Sequence, residues 1–183
     1  MEHKSINNFN DIEITKKKTL IICDIDNTLL YHDVKIEKFI NILKDDNFGE
    51  KEIIELANEM MNLHCRIFPP SHTDAEGFRN LIDKTNKSNG KIIFLTARSE
   101  ISKDFTKNQF QQIGLNYYDY DVHYTDNKIM KGDFIKSNID TSLWNDIIFI
   151  DDYTFNLVSV SHRFPESKCY KFEVNLTKDY PIN

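Results

Sequence analysis

The chain has 183 residues, of which 40% are hydrophobic and 28% are charged, a composition typical of a soluble globular domain. No apolar stretch approaches the roughly 20 residues of a membrane-spanning helix, and the formal net charge of -6 argues against a nucleic-acid partner, which would favour a basic surface. Cys23, Cys65 and Cys169 are far apart in sequence, so we expect neither a disulfide framework nor a zinc site.

The N-terminal segment is polar and ends in three consecutive lysines, with no apolar segment of the kind found in a secretory signal. We therefore predict a flexible tail over residues 1–18, a cytoplasmic protein and no membrane partner.

A continuously apolar strand is predicted over residues 19–24, and it leads into Asp24-Ile25-Asp26. Side chains two apart on an extended segment point the same way, so Asp24 and Asp26 are directed to one small volume beyond the strand. In such a pair one carboxylate can attack an electrophile while the other transfers protons.

Two helices are predicted next, over residues 34–46 and from Gly49 to about Leu63, because apolar residues recur there at helical spacing. We interpret these two helices as a small helical insert over residues 34–65. The alternative is that they form an additional packing layer of the fold. Thr73-Asp74-Ala75-Glu76 then has the pattern of a capping box that begins a further helix.

After Gly90, predicted strands alternate with predicted helices. The strands are 91–96, a short one near 120–124, 147–151 and 168–174, and the helices are 99–113, 132–138 and 156–162. This alternation predicts an α/β fold with a doubly wound parallel sheet, whose ligands bind beyond the carboxyl ends of the strands.

Polar motifs follow three of the buried strands and precede one helix. They are Asp24 to Thr28, Thr96-Ala97-Arg98, the lysines Lys128 and Lys131 ahead of Gly132, and Asp151-Asp152. In that order they resemble motifs I to IV of the haloacid dehalogenase-like (HAD) phosphohydrolases, over roughly residues 19–174. The resemblance implies a Rossmann-like HAD core over 19–33 and 66–176, with the insert as a small C1-type cap.

The resemblance also implies the roles of individual residues. Asp24 would be the nucleophile and Asp26 the acid that protonates the leaving oxygen and then activates water, while Thr96 and Ala97 would lie at the phosphate. A lysine would neutralise the phosphoryl oxygens; Lys131 is favoured over Lys128 because it adjoins Gly132, whose backbone freedom would permit a sharp turn.

Charge balance predicts a metal independently of the resemblance. One lysine faces four carboxylates, those of Asp24, Asp26, Asp151 and Asp152. Each pair of like charges about 4 Å apart costs on the order of 4 kcal/mol at an effective dielectric near 20. Mg²⁺ is the expected cofactor. By resemblance its ligands are Asp24, the backbone carbonyl of Asp26 and Asp151, with Asp152 nearby or bound through water.

Two further residues keep alternative interpretations. Arg98 could hold substrate or cover the edge of the sheet, and Asn156 could belong to an Asp-Asp-x-x-x-Asn motif or simply begin a helix.

The sequence thus predicts a Mg²⁺-dependent phosphatase that cleaves phosphate monoesters, with a phosphorylated metabolite or nucleotide as substrate. The alternatives are a binding or regulatory module of the same fold, or a phosphatase for phosphoproteins or nucleic-acid ends. A receiver-like phospho-acceptor is disfavoured, because its acidic pair should follow the first strand and its acceptor aspartate a later one.

Overall fold

The computed structural model describes residues 3–31 and 36–174, and its centre is a six-stranded sheet in which every pairing is parallel. The strand order is β1-β8-β7-β2-β5-β6. These strands are β1 (Lys4–Ile6), β2 (Thr19–Cys23), β5 (Lys91–Thr96), β6 (Asp121–Tyr124), β7 (Asp146–Asp151) and β8 (Lys168–Phe172). A separate antiparallel pair joins β3 (Leu30–Tyr31) to β4 (Ser71–His72).

Helices separate the strands along the chain. They are α1 (Ile36–Asp45), α2 (Glu50–Ile67), α3 (Ala75–Lys87), α4 (Lys103–Gln112), α5 (Lys131–Asn138) and α6 (Thr154–Arg163). Within the described part of the chain, every helix is too short or too polar to cross a bilayer.

Apolar side chains cover both faces of the sheet, which explains the continuous hydrophobicity of its central strands. On one face Ile21 and Phe94 pack with Phe78 and Phe110 from the helices. On the other face Leu20 and Ile22 belong to a second cluster, which contains Ile135, Leu157 and Val160 from α5 and α6. The predicted doubly wound α/β fold is confirmed.

The prediction of a flexible tail over residues 1–18 is wrong for residues 3–18, the part of that segment that the structure describes. Residues of β1 pair with β8, and the buried ring of Phe9 lies 4.7 Å from that of Phe172 and 5.2 Å from that of Phe78. The backbone N–H of Phe9 also donates to Asp74 at 2.9 Å. A strand of three residues carries too little periodicity to be recognised, although its apolar partners on β8 and α3 hold it in the core.

Residues 32–70 form a compact unit of their own, slightly longer than the predicted insert at 34–65. Its helices α1 and α2 are joined by a turn in which Asn47 has a φ of 62° and the Phe48 N–H donates to the Leu43 carbonyl at 3.1 Å. The predicted start of the first helix at Val34 lies outside the described residues, as does the predicted end of the core at 176.

Helix α3 is capped by Asp74 rather than by the predicted Thr73/Glu76 box. The Asp74 carboxylate accepts from the Gly77 N–H at 3.2 Å, while the Thr73 hydroxyl donates to the Thr28 carbonyl at 2.5 Å. Asp74 therefore connects the first turn of α3 to the N-terminal segment, because its other carboxylate oxygen accepts from the Phe9 backbone N–H.

We expect His72 to make the fold sensitive to acid. Burial lowers the pKa of His72 from 6.5 to about 4, with Asp74 opposing and Arg79 adding to the change, and its Nδ1 accepts from the Asp74 N–H at 3.2 Å. A histidine whose pKa is lowered by folding stabilises the fold above pH 6.5, and this contribution is lost as the pH falls towards 4. The loss can reach about 3 kcal/mol.

Urea unfolding at several pH values measures this loss. Relative to His72→Asn, which keeps an acceptor but does not titrate, the wild type should lose free energy of unfolding between pH 7 and pH 4. Parallel curves for the two proteins over that interval would show that His72 does not carry the acid sensitivity.

Candidate active site

The strand order brings the predicted motifs together at one edge of the sheet. β7, β2 and β5 are neighbours, with Cys23 in register with Ile150 on one side and Phe94 on the other. Asp24, Thr96 and Asp151 therefore lie at adjacent carboxyl ends, where doubly wound sheets bind ligands.

A tight turn follows Asp24. The carbonyl of Ile25 accepts from the N–H groups of Leu29 and Leu30 at 3.0 and 2.8 Å, and the Asn27 N–H donates to Leu30 at 2.7 Å. Asn27 has a φ of 57°, a left-handed conformation that asparagine tolerates well. The turn returns the chain over the end of β2 and keeps Asp24 buried.

Both candidate lysines line the space at this edge of the sheet, and Lys131 is the one that contacts the buried carboxylates. Its ammonium contacts Asp24 Oδ1 and lies 2.7 Å from Asp151 Oδ2, and its side chain is 3% exposed. The Lys128 side chain is instead 78% exposed and pairs with Asp126. The structure thus places Lys131, and not Lys128, against the two buried carboxylates.

Burial has opposite effects on the pKa values of Lys131 and Asp24. For Lys131, burial by itself lowers the pKa of the ammonium, but the neighbouring carboxylates of Asp24 and Asp151 outweigh burial and raise it. Burial also raises the pKa of Asp24, with the Lys131 charge opposing that rise and Asp151 adding to it.

Gly132 has a different role from the predicted one. A Cβ at this position would lie 2.2 Å from the Ser159 carbonyl oxygen, and the Gly132 N–H donates to Ser159 Oγ at 3.0 Å. The glycine is needed for close packing of α5 on α6, and this packing fixes where Lys131 enters the site.

The acidic pair at the end of β7, Asp151 and Asp152, divides into a buried and a half-buried carboxylate. Both Asp151 oxygens accept from Asn156 Nδ2 at 3.1 Å, and Oδ1 also accepts from the Tyr153 N–H at 2.9 Å. Burial, followed by the neighbouring charge of Asp151, raises the pKa of Asp152 to about 6. Asn156 lies inside α6 and holds the Asp151 carboxylate, which supports the motif interpretation over a simple helix start.

Arg98 is paired with Asp26. Its Nε and Nη2 donate to the two Asp26 carboxylate oxygens at 2.8 and 2.6 Å, and Nη1 donates to Thr106 Oγ1 at 3.0 Å. Such two-point arginine–carboxylate pairs are strong and geometrically specific. Neither alternative for Arg98, a substrate contact or a cover for the sheet edge, anticipated this partner.

Thr96 and Ala97 differ in their access to the site. Thr96 is buried at the end of β5, where its Oγ1 accepts from the Arg98 N–H at 3.2 Å and its carbonyl accepts from the Thr125 N–H at 2.9 Å. Ala97 lines the open cavity together with Asp24, Asp26 and Lys131.

The cavity above these residues has a volume of about 460 Å³. Besides Ala97 and the charged groups, its walls come from the loop before α5 and from the first turn of α6. A space of this size, closed at one end by charged side chains, matches a small-molecule site.

The carboxylates suit a hard divalent cation. Within the described part of the chain, Asp24, Asp151 and Asp152 each direct an oxygen to a common volume in which these atoms lie within 4.8 Å of one another. Oxygen donors of this kind are the ligands that Mg²⁺ prefers. The residues present therefore fit the expected metal, and the Asp26 carbonyl as a further ligand stays a prediction.

Three solved structures are similar to this chain in fold. The class C acid phosphatase from Bacillus anthracis has a TM-score of 0.55 at 16% identity, over 87% of this chain and 68% of its own. The putative beta-phosphoglucomutase from Thermotoga maritima has a TM-score of 0.53 at 9% identity, over 87% and 88%. The HAD domain of effector protein Lem4 from Legionella pneumophila, as an inactive mutant, has 0.51 at 15%, over 91% and 89%.

At these identities the likeness shows the fold, and the fold is HAD-like. No curated protein matches the sequence. A family model, described as "Protein of unknown function (DUF2608)", matches residues 2–131, which include the turn after β2, the end of β5 and Lys131. Because that match spans most of the chain, the protein belongs to the DUF2608 family.

Proposed function

We propose that the protein is a Mg²⁺-dependent phosphatase that hydrolyses phosphate monoesters of small molecules through Asp24. The observation that carries this proposal is the buried contact of Lys131 with Asp24 and Asp151 at the base of an open cavity. A buried carboxylate beside a fixed cation, at the ligand-binding edge of a HAD-like sheet, is equipped to attack phosphorus.

The first step transfers the phosphoryl group to Asp24. A carboxylate oxygen of Asp24 forms a bond to phosphorus while the bond from phosphorus to the ester oxygen breaks, and the electron pair leaves with that oxygen. Lys131 holds the attacking carboxylate and offsets charge on the phosphoryl oxygens. In the second step water attacks the phosphorus, and Asp24 is released with inorganic phosphate.

Asp26 is the proposed proton-transfer group, and Arg98 controls its position. While both carboxylate oxygens accept from Arg98, neither is directed as a proton donor towards a leaving group. Proton donation in the first step therefore requires that the pair opens, whereas the carboxylate held by Arg98 is already in the form that can accept a proton from water.

Asp24, Asp151 and Asp152 would hold Mg²⁺, which supplies positive charge for the phosphoryl oxygens. Four carboxylates, including Asp26, lie near two cations, Lys131 and Arg98, so a further cation offsets the repulsion that an incoming phosphate meets.

The Asp26–Arg98 pair also supports the second candidate, a module that binds phosphate esters without turning them over. A screen of phosphorylated metabolites, nucleotides and aryl phosphates with Mg²⁺ separates the two candidates. Release of phosphate by the wild type supports the phosphatase, whereas saturable binding of esters without release supports the binding module.

Metal binding should depend on two aspartates to different degrees. Asp151 is fully buried and Asp152 only partly, so water can replace a lost ligand more easily at Asp152 than at Asp151. We expect Asp151→Asn to weaken Mg²⁺ binding by at least about tenfold and more than Asp152→Asn does. Calorimetric titration of the purified proteins with Mg²⁺ measures both changes.

Asp121→Asn is the matched control for this titration. Asp121 is an exposed carboxylate that does not line the cavity, and its Oδ2 lies 2.6 Å from Lys91 Nζ. It should bind Mg²⁺ as the wild type does. Equal losses for the two site variants, or a larger loss for Asp152→Asn, would contradict the assignment of Asp151 as the stronger ligand.

A further inference from the structure

Large apolar side chains surround the mouth of the cavity whose base holds Asp24 and Lys131. They are Ile129, Met130, Tyr153 and Phe155, and each is between 43% and 61% exposed. We call these four residues the apolar rim. A cavity that is charged at its base and apolar at its mouth is suited to a ligand that has one charged end and one apolar end.

The apolar rim is held by the fold rather than by a free loop. Ile129 and Met130 directly precede α5, and Tyr153 and Phe155 lie at the start of α6. The close approach of α5 to α6 at Gly132 fixes these two segments side by side. The Tyr153 and Phe155 rings have centroids 6.2 Å apart, so they present a joint aromatic surface.

The ester oxygen of a bound substrate leaves on the side of phosphorus that faces away from Asp24, towards open space. The rest of the substrate therefore extends from the charged base towards the mouth of the cavity. An apolar leaving group would cover the rim and remove its surface from water, whereas a polar leaving group would have to lose water there without gaining partners.

The Asp26–Arg98 pair points to the same class of leaving group. Both oxygens of the Asp26 carboxylate are engaged by the guanidinium, so this geometry offers no donor to a departing oxygen. A phenolic oxygen, with a pKa of about 10, departs with its electron pair far more readily than an alkoxide, whose parent alcohol is about as weak an acid as water. Aryl esters thus need the proton donor least.

From the apolar rim and the Asp26–Arg98 geometry we infer that the substrates are aryl phosphate monoesters, whose aromatic ring packs on the apolar rim while Asp24 attacks phosphorus. The inference rests on the proposed phosphatase function and names the substrate class of that site.

A series of three esters separates ring binding from ease of departure. Ethyl phosphate has an alkoxide leaving group and no ring, benzyl phosphate has an alkoxide leaving group and a ring, and phenyl phosphate has both a ring and a phenolic oxygen. We expect the wild type to prefer benzyl over ethyl phosphate by at least about tenfold in kcat/KM, and phenyl phosphate over both.

The double variant Tyr153→Ser/Phe155→Ser should reduce the benzyl-to-ethyl ratio of kcat/KM to within about threefold. The control is Val158→Ser, because Val158 is an exposed apolar residue of α6 that does not line the cavity; it should keep the wild-type ratio. Free phosphotyrosine and phosphotyrosine within a polar peptide show whether the ring belongs to a small molecule or to a polypeptide. A preference for either one supports the inference.

Equal kcat/KM for benzyl and ethyl phosphate in the wild type, or an unchanged ratio in the double variant, overturns this inference and leaves the phosphatase function standing. Absence of turnover with every ester overturns the proposed function and this inference with it.

Discussion

Replacing the proposed nucleophile should abolish turnover while the fold is kept. We expect Asp24→Asn to lower kcat by at least about 10⁴-fold, because the amide has the shape of the carboxylate but cannot attack phosphorus. The amide can still accept from Lys131, so the buried contact that holds the lysine is retained in part. Phosphate release from phenyl phosphate and thermal unfolding, followed on the same preparation, measure activity and stability separately.

Asp121→Asn serves again as the control, since it removes an ion-paired carboxylate outside the cavity. It should have wild-type kcat. Turnover by Asp24→Asn within about tenfold of the wild type would exclude Asp24 as the nucleophile, because a missing nucleophile costs several orders of magnitude.

The second large effect concerns Lys131, the first residue of α5, and Lys128 in the loop before it. Lys131 lies against Asp24 and Asp151, so its removal takes away charge from both the attacking group and the phosphoryl oxygens. We expect Lys131→Ala to lose at least about 100-fold in kcat/KM, about 2.7 kcal/mol of transition-state stabilisation, with KM raised and kcat lowered. Lys128→Ala should lose less than about tenfold, because its ammonium lies in solvent beside Asp126.

Loss of Lys131 also leaves two buried carboxylates without their cation, which destabilises a fold by several kcal/mol in comparable cases. Lys131→Gln, which keeps a hydrogen-bond donor, provides a second variant if Lys131→Ala unfolds. Steady-state assays that show the larger loss for Lys128→Ala would move the phosphate-binding lysine to that position and would require a different site.

The sheet could be predicted from the sequence because its central strands are apolar on both faces. The predicted strand over residues 91–96 matches β5 residue for residue, and the polar residues that follow β2 and β7 could be located for the same reason. Parallel strands end at one edge, so the meeting of Asp24 with Asp151 follows once the strand order is known.

Features that depend on tertiary partners could not be predicted in this way. The strand β1 is three residues long, and it forms because β8 offers an unpaired edge and Phe9 has a place in the core. The pairing of Arg98 with Asp26 joins residues 72 apart in sequence, and nothing in either local pattern indicates it. The apolar rim is equally hidden, since Met130 and Phe155 come to line one cavity only when α5 packs on α6.

Direct detection of the phosphoryl group tests whether Asp24 is the nucleophile. The wild type is mixed with phenyl phosphate and Mg²⁺, quenched in acid within one turnover and digested, and the peptide Thr19–Lys35 is analysed by mass spectrometry with fragmentation. We expect one added phosphoryl group, on Asp24 in the wild type and in Asp26→Asn, and none in Asp24→Asn. A phosphoryl group on another residue, or on this peptide in Asp24→Asn, would show that Asp24 is not the nucleophile.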